Sequence, residues 1–210
     1  VTKLVPVAVE QGFLRATEPL VRGLLRAGVT PNTITTFGAL VIVASAICFG
    51  LGAVRLGGCL VLFSGIVDTL DGQVARLGAQ TSKFGAFYDS TLDRIGDGAC
   101  FIGIAAYLMT TPGVRWREEA VLLCMIGVLA SLVVSYQRAR AEGLGLDCKV
   151  GIAQRAERIV LLGLPTAIVG AGPGGVVLTA IVAVLTLLSI ITVGQRFAWV
   201  HRAASAGNEP

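Results

Sequence analysis

The chain has 210 residues, of which 54% are apolar and only 14% charged, with a formal net charge of +4. Soluble domains carry roughly 25% charged residues, and a soluble fold of this length would leave a large part of so much apolar surface against water. These proportions exclude an intrinsically disordered chain and a disulfide-stapled secreted scaffold, and they indicate an integral membrane protein with room for roughly six spans of about 20 residues.

In chain order, residues 8–28 set Phe13, Leu14, Leu20, Leu24 and Leu25 against Glu10, Arg15, Glu18, Arg22 and Arg26, the pattern of an amphipathic helix lying along a membrane surface. No cleavable signal is expected before it, because the N-terminal stretch is polar and acidic where a signal is apolar. Six spans are then expected at 33–54, 57–77, 84–110, 119–141, 156–172 and 174–197. They are punctuated by Gly57-Gly58, Pro112-Gly113 and the Gly170–Gly175 turn. The expected fold class is an all-α integral membrane protein: six transmembrane helices preceded by an amphipathic juxtamembrane helix. Its divisions are a cytoplasmic N-terminal segment (1–32), a transmembrane catalytic domain (33–198) and a cytoplasmic tail (199–210). The five Cys include no CxxC pair and number odd, so they are read as packing residues without redox or metal roles.

Counting Lys and Arg by loop sets the orientation. One side collects thirteen, from Lys3, Arg15, Arg22 and Arg26 through Arg76, Lys83 and the 138–158 segment to Arg196 and Arg202; the other holds Arg55, Arg115 and Arg117. Both termini and the basic face are expected in the cytoplasm of a multi-pass plasma-membrane protein. The positive charge is then a topological signal, with no nucleic acid as partner.

Five carboxylates, Asp68, Asp71, Asp89, Asp93 and Asp97, fall inside apolar spans. Each is costly in lipid, so the default reading is a functional site. Asp68 and Asp71 are spaced i, i+3, and Asp89, Asp93 and Asp97 run i, i+4, i+8 up one face of the next helix. The two helices are joined by a short loop, so the acids can face each other at one depth. Oxygen ligands without His or Cys point to Mg²⁺ or Mn²⁺. Helix-packing hydrogen bonds, pairing with Arg94, or a proton- or cation-coupled transporter would also use membrane carboxylates, but none of these requires the residues around them.

Those residues read DTLDGQVARLGAQTSKFGAFYDSTLD from 68 to 93, the pattern DxxDGxxARx8GxxxDxxxD. In this the sequence resembles the CDP-alcohol phosphatidyltransferase family, membrane enzymes that move a phosphatidyl group from a CDP-linked lipid to an alcohol and release CMP. The resemblance implies two metal ions held by Asp68, Asp71 and Asp89, with Asp93 as a further ligand and as the base that takes the acceptor's hydroxyl proton. It further implies that Pro31, Asn32, Thr33, Ile34, Gly72, Arg76 and Ser82 contact CDP-diacylglycerol, and that the enzyme is a homodimer packed through the third and fourth spans. By residue type alone, Gly72 serves equally for close approach of a nucleotide or for helix packing, Gly85 and Ala75 read as packing contacts, and Thr30 or Asn32 reads as a helix cap.

The acceptor is sought after the fourth span, in SYQRARAEGLGLDCKVGIAQRAERIV, where Arg138, Arg140, Arg155 and Arg158 cluster. Much of this is ordinary positive-inside charge, yet several guanidiniums beside a metal site suit an acceptor carrying its own phosphate. Within the family, the SYxxARAE stretch and the xRxER segment resemble the actinobacterial phosphatidylinositol phosphate synthases, which implies inositol phosphate as acceptor, bound by Arg138, Arg155, Arg158 and Arg196. Two departures are Arg at 138 in place of Lys and a QRAER segment without the expected Glu and Pro. Phosphatidylglycerophosphate synthases, which take glycerol 3-phosphate, are the alternative.

Overall fold

The computed structural model describes residues 7–152 and 155–206. Among these residues the chain is all helical: α1 (Val7–Arg26), α2 (Pro31–Gly50), α3 (Val54–Leu77), α4 (Lys83–Thr110), α5 (Arg117–Glu142), α6 (Arg155–Val169) and α7 (Val176–Ala206), with a short 3₁₀ turn at Pro173–Gly175. Local chemistry sets the starts and stops. The Thr30 side chain caps α2 by accepting from the Thr33 amide, and Pro31 follows at the first helical position, where its fixed φ is already helical. Ser82 caps α4 in the same way, accepting from the Gly85 amide at 2.9 Å. After α6 the chain reverses through Gly170 and Gly172 at φ +76° and +72°, a left-handed backbone that favours glycine.

Packing runs from α2 to α3 and α4, from α3 to α6, from α6 to α7, from α7 to α5 and from α5 back to α4, closing six helices into a ring, while α1 lies against α3. Phe49, Val61, Ile104, Leu108, Leu178 and Val182 fill the ring. Small residues let the helices approach closely. A Cβ at Gly103 of α4 would strike the carbonyl of Ala46 in α2, and one at Gly58 of α3 would strike the Thr166 hydroxyl and the Ala167 amide of α6. Polar side chains turn inward and are hydrogen-bonded: the Ser45 hydroxyl donates to the Gly57 carbonyl at 2.7 Å, and Thr186 donates to the Leu123 carbonyl at 3.1 Å. Large apolar residues such as Leu40, Ile102, Met125, Leu129 and Phe197 face outward, a distribution that suits lipid and not water.

Three helical stretches, Pro31–Gly50, Arg117–Glu142 and Pro173–Ser205, are long and apolar enough to cross a membrane. Six were expected, and the difference has a physical source. The windows in α3 and α4 are interrupted by the carboxylates and arginines that give the protein its site, and the 15 residues of α6 reach only about 22 Å, short of a ~30 Å hydrocarbon layer.

Expected α1 is a helix, tied to α3 by a 2.8 Å hydrogen bond from Gln73 to Thr17 and by the fully buried Val21. Lys3, the side chains of Glu10 and Phe13, and the last four residues of the tail lie outside the described residues. Among the described residues no cysteine is disulfide-bonded, and Cys148, in the polar segment after α5, is buried.

Candidate active site

The C-terminal half of α3 carries Asp68 and Asp71 one turn apart, and the N-terminal half of α4 carries Asp89 and Asp93 one turn apart; the short 78–82 connection brings the two pairs together. One oxygen from each of Asp68, Asp71 and Asp89 lies within 4.8 Å of the others. Asp71 is buried, and its Oδ2 accepts a 2.7 Å hydrogen bond from Thr35, whose hydroxyl is also 3.1 Å from the Pro31 carbonyl. Oδ1 of Asp89 is buried with no hydrogen-bond partner. An orphaned carboxylate oxygen is costly unless a cation completes it, and three carboxylates at this spacing form an oxygen-only donor set suited to a hard divalent ion.

Asp93 stands outside that triple. Its Oδ2 is 3.3 Å from Arg94, and its Oδ1 pairs with Arg155, whose guanidinium is also 3.6 Å from Asp68. Four carboxylates against two guanidiniums leave an excess of negative charge, which a divalent cation would balance. Thr35, Ser64, Asp68, Asp71, Asp93 and Arg155 line a cavity of about 10 Å³ here.

The residues expected to contact the lipid nucleotide gather at the same end of the bundle. Thr30, and not Asn32, is the cap of α2; Asn32 is left with its Oδ1 3.3 Å from where a Gly85 Cβ would be, beside the Ser82 hydroxyl at 3.0 Å. Gly85, read as a packing contact, therefore sits between Asn32 and Ser82. At Gly72 the three atoms nearest to a Cβ would all belong to the Arg76 guanidinium, the closest at 3.2 Å. The glycine thus borders an exposed cation on its own helix. Pro31, Asn32 and Thr33 form the first turn of α2, whose amides favour anions. Ile34 is buried in an apolar cluster with Val21, Val67, Leu70 and Val74.

The four arginines expected to bind acceptor phosphate are placed differently from one another. Arg155 and Arg158 point at acids, the latter with Nη1 3.0 Å from Asp97. Arg196 is buried and donates to the carbonyls of Val150, at 2.9 Å, and Val134. Arg138 pairs with Glu142 at 2.9 Å. Arg138, Arg158 and Arg94 nonetheless lie close enough to Arg196 to act on it electrostatically. Two contributors escaped the sequence reading. Thr35 directly follows the Pro31–Ile34 motif, one turn beyond Pro31, and could have been found from that spacing; Arg94 reads from the sequence only as a structural partner for a membrane carboxylate.

A model of the CDP-alcohol phosphatidyltransferase family matches residues 28–203. The phosphatidylinositol phosphate synthase of Cutibacterium acnes is 39% identical over 205 residues, covering 93% of this chain and 97% of its own. A crystal structure of the Mycobacterium tuberculosis phosphatidylinositol phosphate synthase with CDP-DAG bound is 35% identical, with a TM-score of 0.77 over 89% of this chain and 94% of that one. The same enzyme in complex with manganese and citrate gives a TM-score of 0.79 at 35% identity, over 88% of each chain. With its eight-position motif folded into one carboxylate site and a family match across most of its length, the chain belongs to the CDP-alcohol phosphatidyltransferases.

Proposed function

We propose that the chain transfers the phosphatidyl group of CDP-diacylglycerol to a hydroxyl of myo-inositol phosphate and releases CMP, a reading supported by relatives named phosphatidylinositol phosphate synthase, one of them with CDP-DAG bound. The observation that supports it most is the contact between Asp93 and Arg155 beside the Asp68–Asp71–Asp89 triple. An acceptor with both a hydroxyl and a phosphate needs a base and a guanidinium side by side.

In this reading Asp68, Asp71 and Asp89, with Asp93, would hold a pair of Mg²⁺ or Mn²⁺ ions, which when bound supply Lewis-acid neutralisation of the diphosphate. Asn32, Ser82, the first turns of α2 and α4, the backbone at Gly72 and the Arg76 guanidinium receive the nucleotide. Asp93 takes the proton from the acceptor hydroxyl. The acceptor oxygen then bonds to the lipid-side phosphorus while the bond to CMP breaks, and CMP leaves with the electron pair. Arg155, Arg158, Arg196 and Arg138 receive the acceptor phosphate, their fork geometry matching its oxygens.

The same proposal includes a six-span body at 33–198, with the shorter α6 and the charged α3 and α4 spanning as members of the ring. A surface helix lies within 1–32 and a tail at 199–210, both termini and the site are cytoplasmic in the plasma membrane, and a homodimer packs through α4 and α5. CMP release by purified protein from CDP-diacylglycerol tests the chemistry, with inositol phosphate, inositol, glycerol 3-phosphate and serine as parallel acceptors. Release dependent on divalent metal and greatest with inositol phosphate is expected. Preference for glycerol 3-phosphate would overturn the acceptor and leave the transfer chemistry standing.

A further inference from the structure

Asp97 lies outside the family motif and outside the metal-ligand triple, yet it is a carboxylate in the interior of a membrane protein. It sits one turn beyond Asp93 on α4, as Arg158 sits one turn beyond Arg155 on α6. The two helices therefore face each other through two ionic rungs, Arg155 with Asp93 and Arg158 with Asp97 at 3.0 Å. The first rung belongs to the carboxylate site. The second has no assigned use.

Three observations bear on what it does. Both side chains are largely buried, at 12% exposure for Arg158 and 20% for Asp97. A buried ion pair is poor value for stability, since apolar residues of the same size would hold the helices at least as well. Second, Nε and Nη1 of Arg158 are both buried and make no hydrogen bond, the contact with Asp97 being ionic, so the guanidinium keeps donors in reserve. Third, the cavity of about 40 Å³ beneath the pair is otherwise apolar, walled by Ile42, Phe101, Leu162 and Leu185 among others. Asp97 is the only carboxylate on that wall able to fix the direction of the Arg158 fork. Arg158 also lies within electrostatic range of Arg196, a like charge whose repulsion Asp97 offsets.

We propose that Asp97 is a positioning residue for the acceptor: its ion pair aims the Arg158 guanidinium, with a donor free, at the phosphate of the alcohol substrate. The inference rests on the acceptor being phosphorylated, as proposed above. It assigns Asp97 no contact with metal, donor or reacting atoms.

The test is steady-state kinetics on the purified full chain in detergent, varying inositol phosphate, CDP-diacylglycerol and Mn²⁺ separately, for the wild type, Asp97→Asn, Asp97→Glu and Arg158→Lys. Asp97→Asn is expected to raise the acceptor KM by about tenfold or more, the effect of misdirecting one charge-assisted hydrogen bond. Its kcat should change by less than about threefold, with the donor KM and Mn²⁺ activation unmoved. Asp97→Glu should recover most of the acceptor KM. An unchanged or lowered acceptor KM in Asp97→Asn would overturn the proposal, as would a parallel loss in every parameter. If Asp97→Asn does not fold, Asp97→Ser takes its place under the same criteria, and an unchanged acceptor KM in Arg158→Lys, which keeps the charge and loses the fork, refutes the proposal as well. A wild-type enzyme that prefers unphosphorylated inositol or serine would overturn both this inference and the acceptor reading, and that result is visible before any variant is made.

Discussion

The hydroxyl of Thr35 on α2 donates a 2.7 Å hydrogen bond to Oδ2 of Asp71 on α3, fixing a buried carboxylate of the site from a helix that carries none itself. Partners of this kind set the orientation of a ligand carboxylate, and removing one commonly costs 10- to 100-fold in metal affinity. Thr35→Val keeps the shape and deletes the donor. Its Mn²⁺ affinity, read by titration of the purified protein, is expected to fall by about 10- to 100-fold, with the fold intact.

Asp89 is the carboxylate with an oxygen left orphaned, so it should gain most from a cation. Saturating Mn²⁺ at about 100 times its Kd would stabilise the wild type by about 2.7 kcal/mol, visible as a rise in Tm. In Asp89→Asn that rise should vanish. Chelation of the wild type should lower its Tm and stop CMP release together, and Mn²⁺ or Mg²⁺ should restore both.

Asp93 is paired with Arg155 and Arg94 and stands apart from the metal triple. A general base of this type contributes about 10²- to 10⁴-fold to rate. Asp93→Asn is therefore expected to lose that factor in kcat while still binding CDP-diacylglycerol. Wild-type turnover in this variant, measured as CMP release, would show that the proton leaves by another route.

Helix packing makes a paired prediction on α4. A Cβ at Gly103 would collide with the carbonyl of Ala46, whereas one at Gly98 would meet nothing within 4 Å. Gly103→Ala should destabilise by about 1–3 kcal/mol, the usual cost of overpacking. Gly98→Ala should be neutral or stabilising by up to about 1 kcal/mol, because alanine is the better helix former. Thermal unfolding of both variants in detergent compares them directly.

Helix positions were largely readable from the chain, because the signals are local. The spans expected at 57–77 and 84–110 are observed at 54–77 and 83–110, set by apolar runs and by caps such as Ser82. The fifth was drawn too long, to 172, where Gly170 turns the backbone left-handed and ends α6 at Val169. The carboxylate site was legible for a related reason: an Asp in an apolar run stands out, and i, i+3 and i, i+4 spacings put such residues on one face. What each arginine does was not legible. Arg155, Arg158 and Arg196 look alike as positive charges after a span, yet one bridges two carboxylates, one pairs with Asp97 and one is tied to backbone carbonyls.

The sequence by itself determined that the chain is an apolar, all-helical protein with a carboxylate motif at the facing ends of two consecutive helices, since composition, periodicity and spacing act over a few residues. Only the tertiary structure decided which cation meets which acid, that Thr35 serves Asp71, and that the Arg76 guanidinium lies over Gly72. Those pairings depend on how α2, α4 and α6 are arranged around α3. That arrangement is set by close contacts such as Gly103 on Ala46 and Gly58 on Thr166, which join residues dozens of positions apart and leave no local trace.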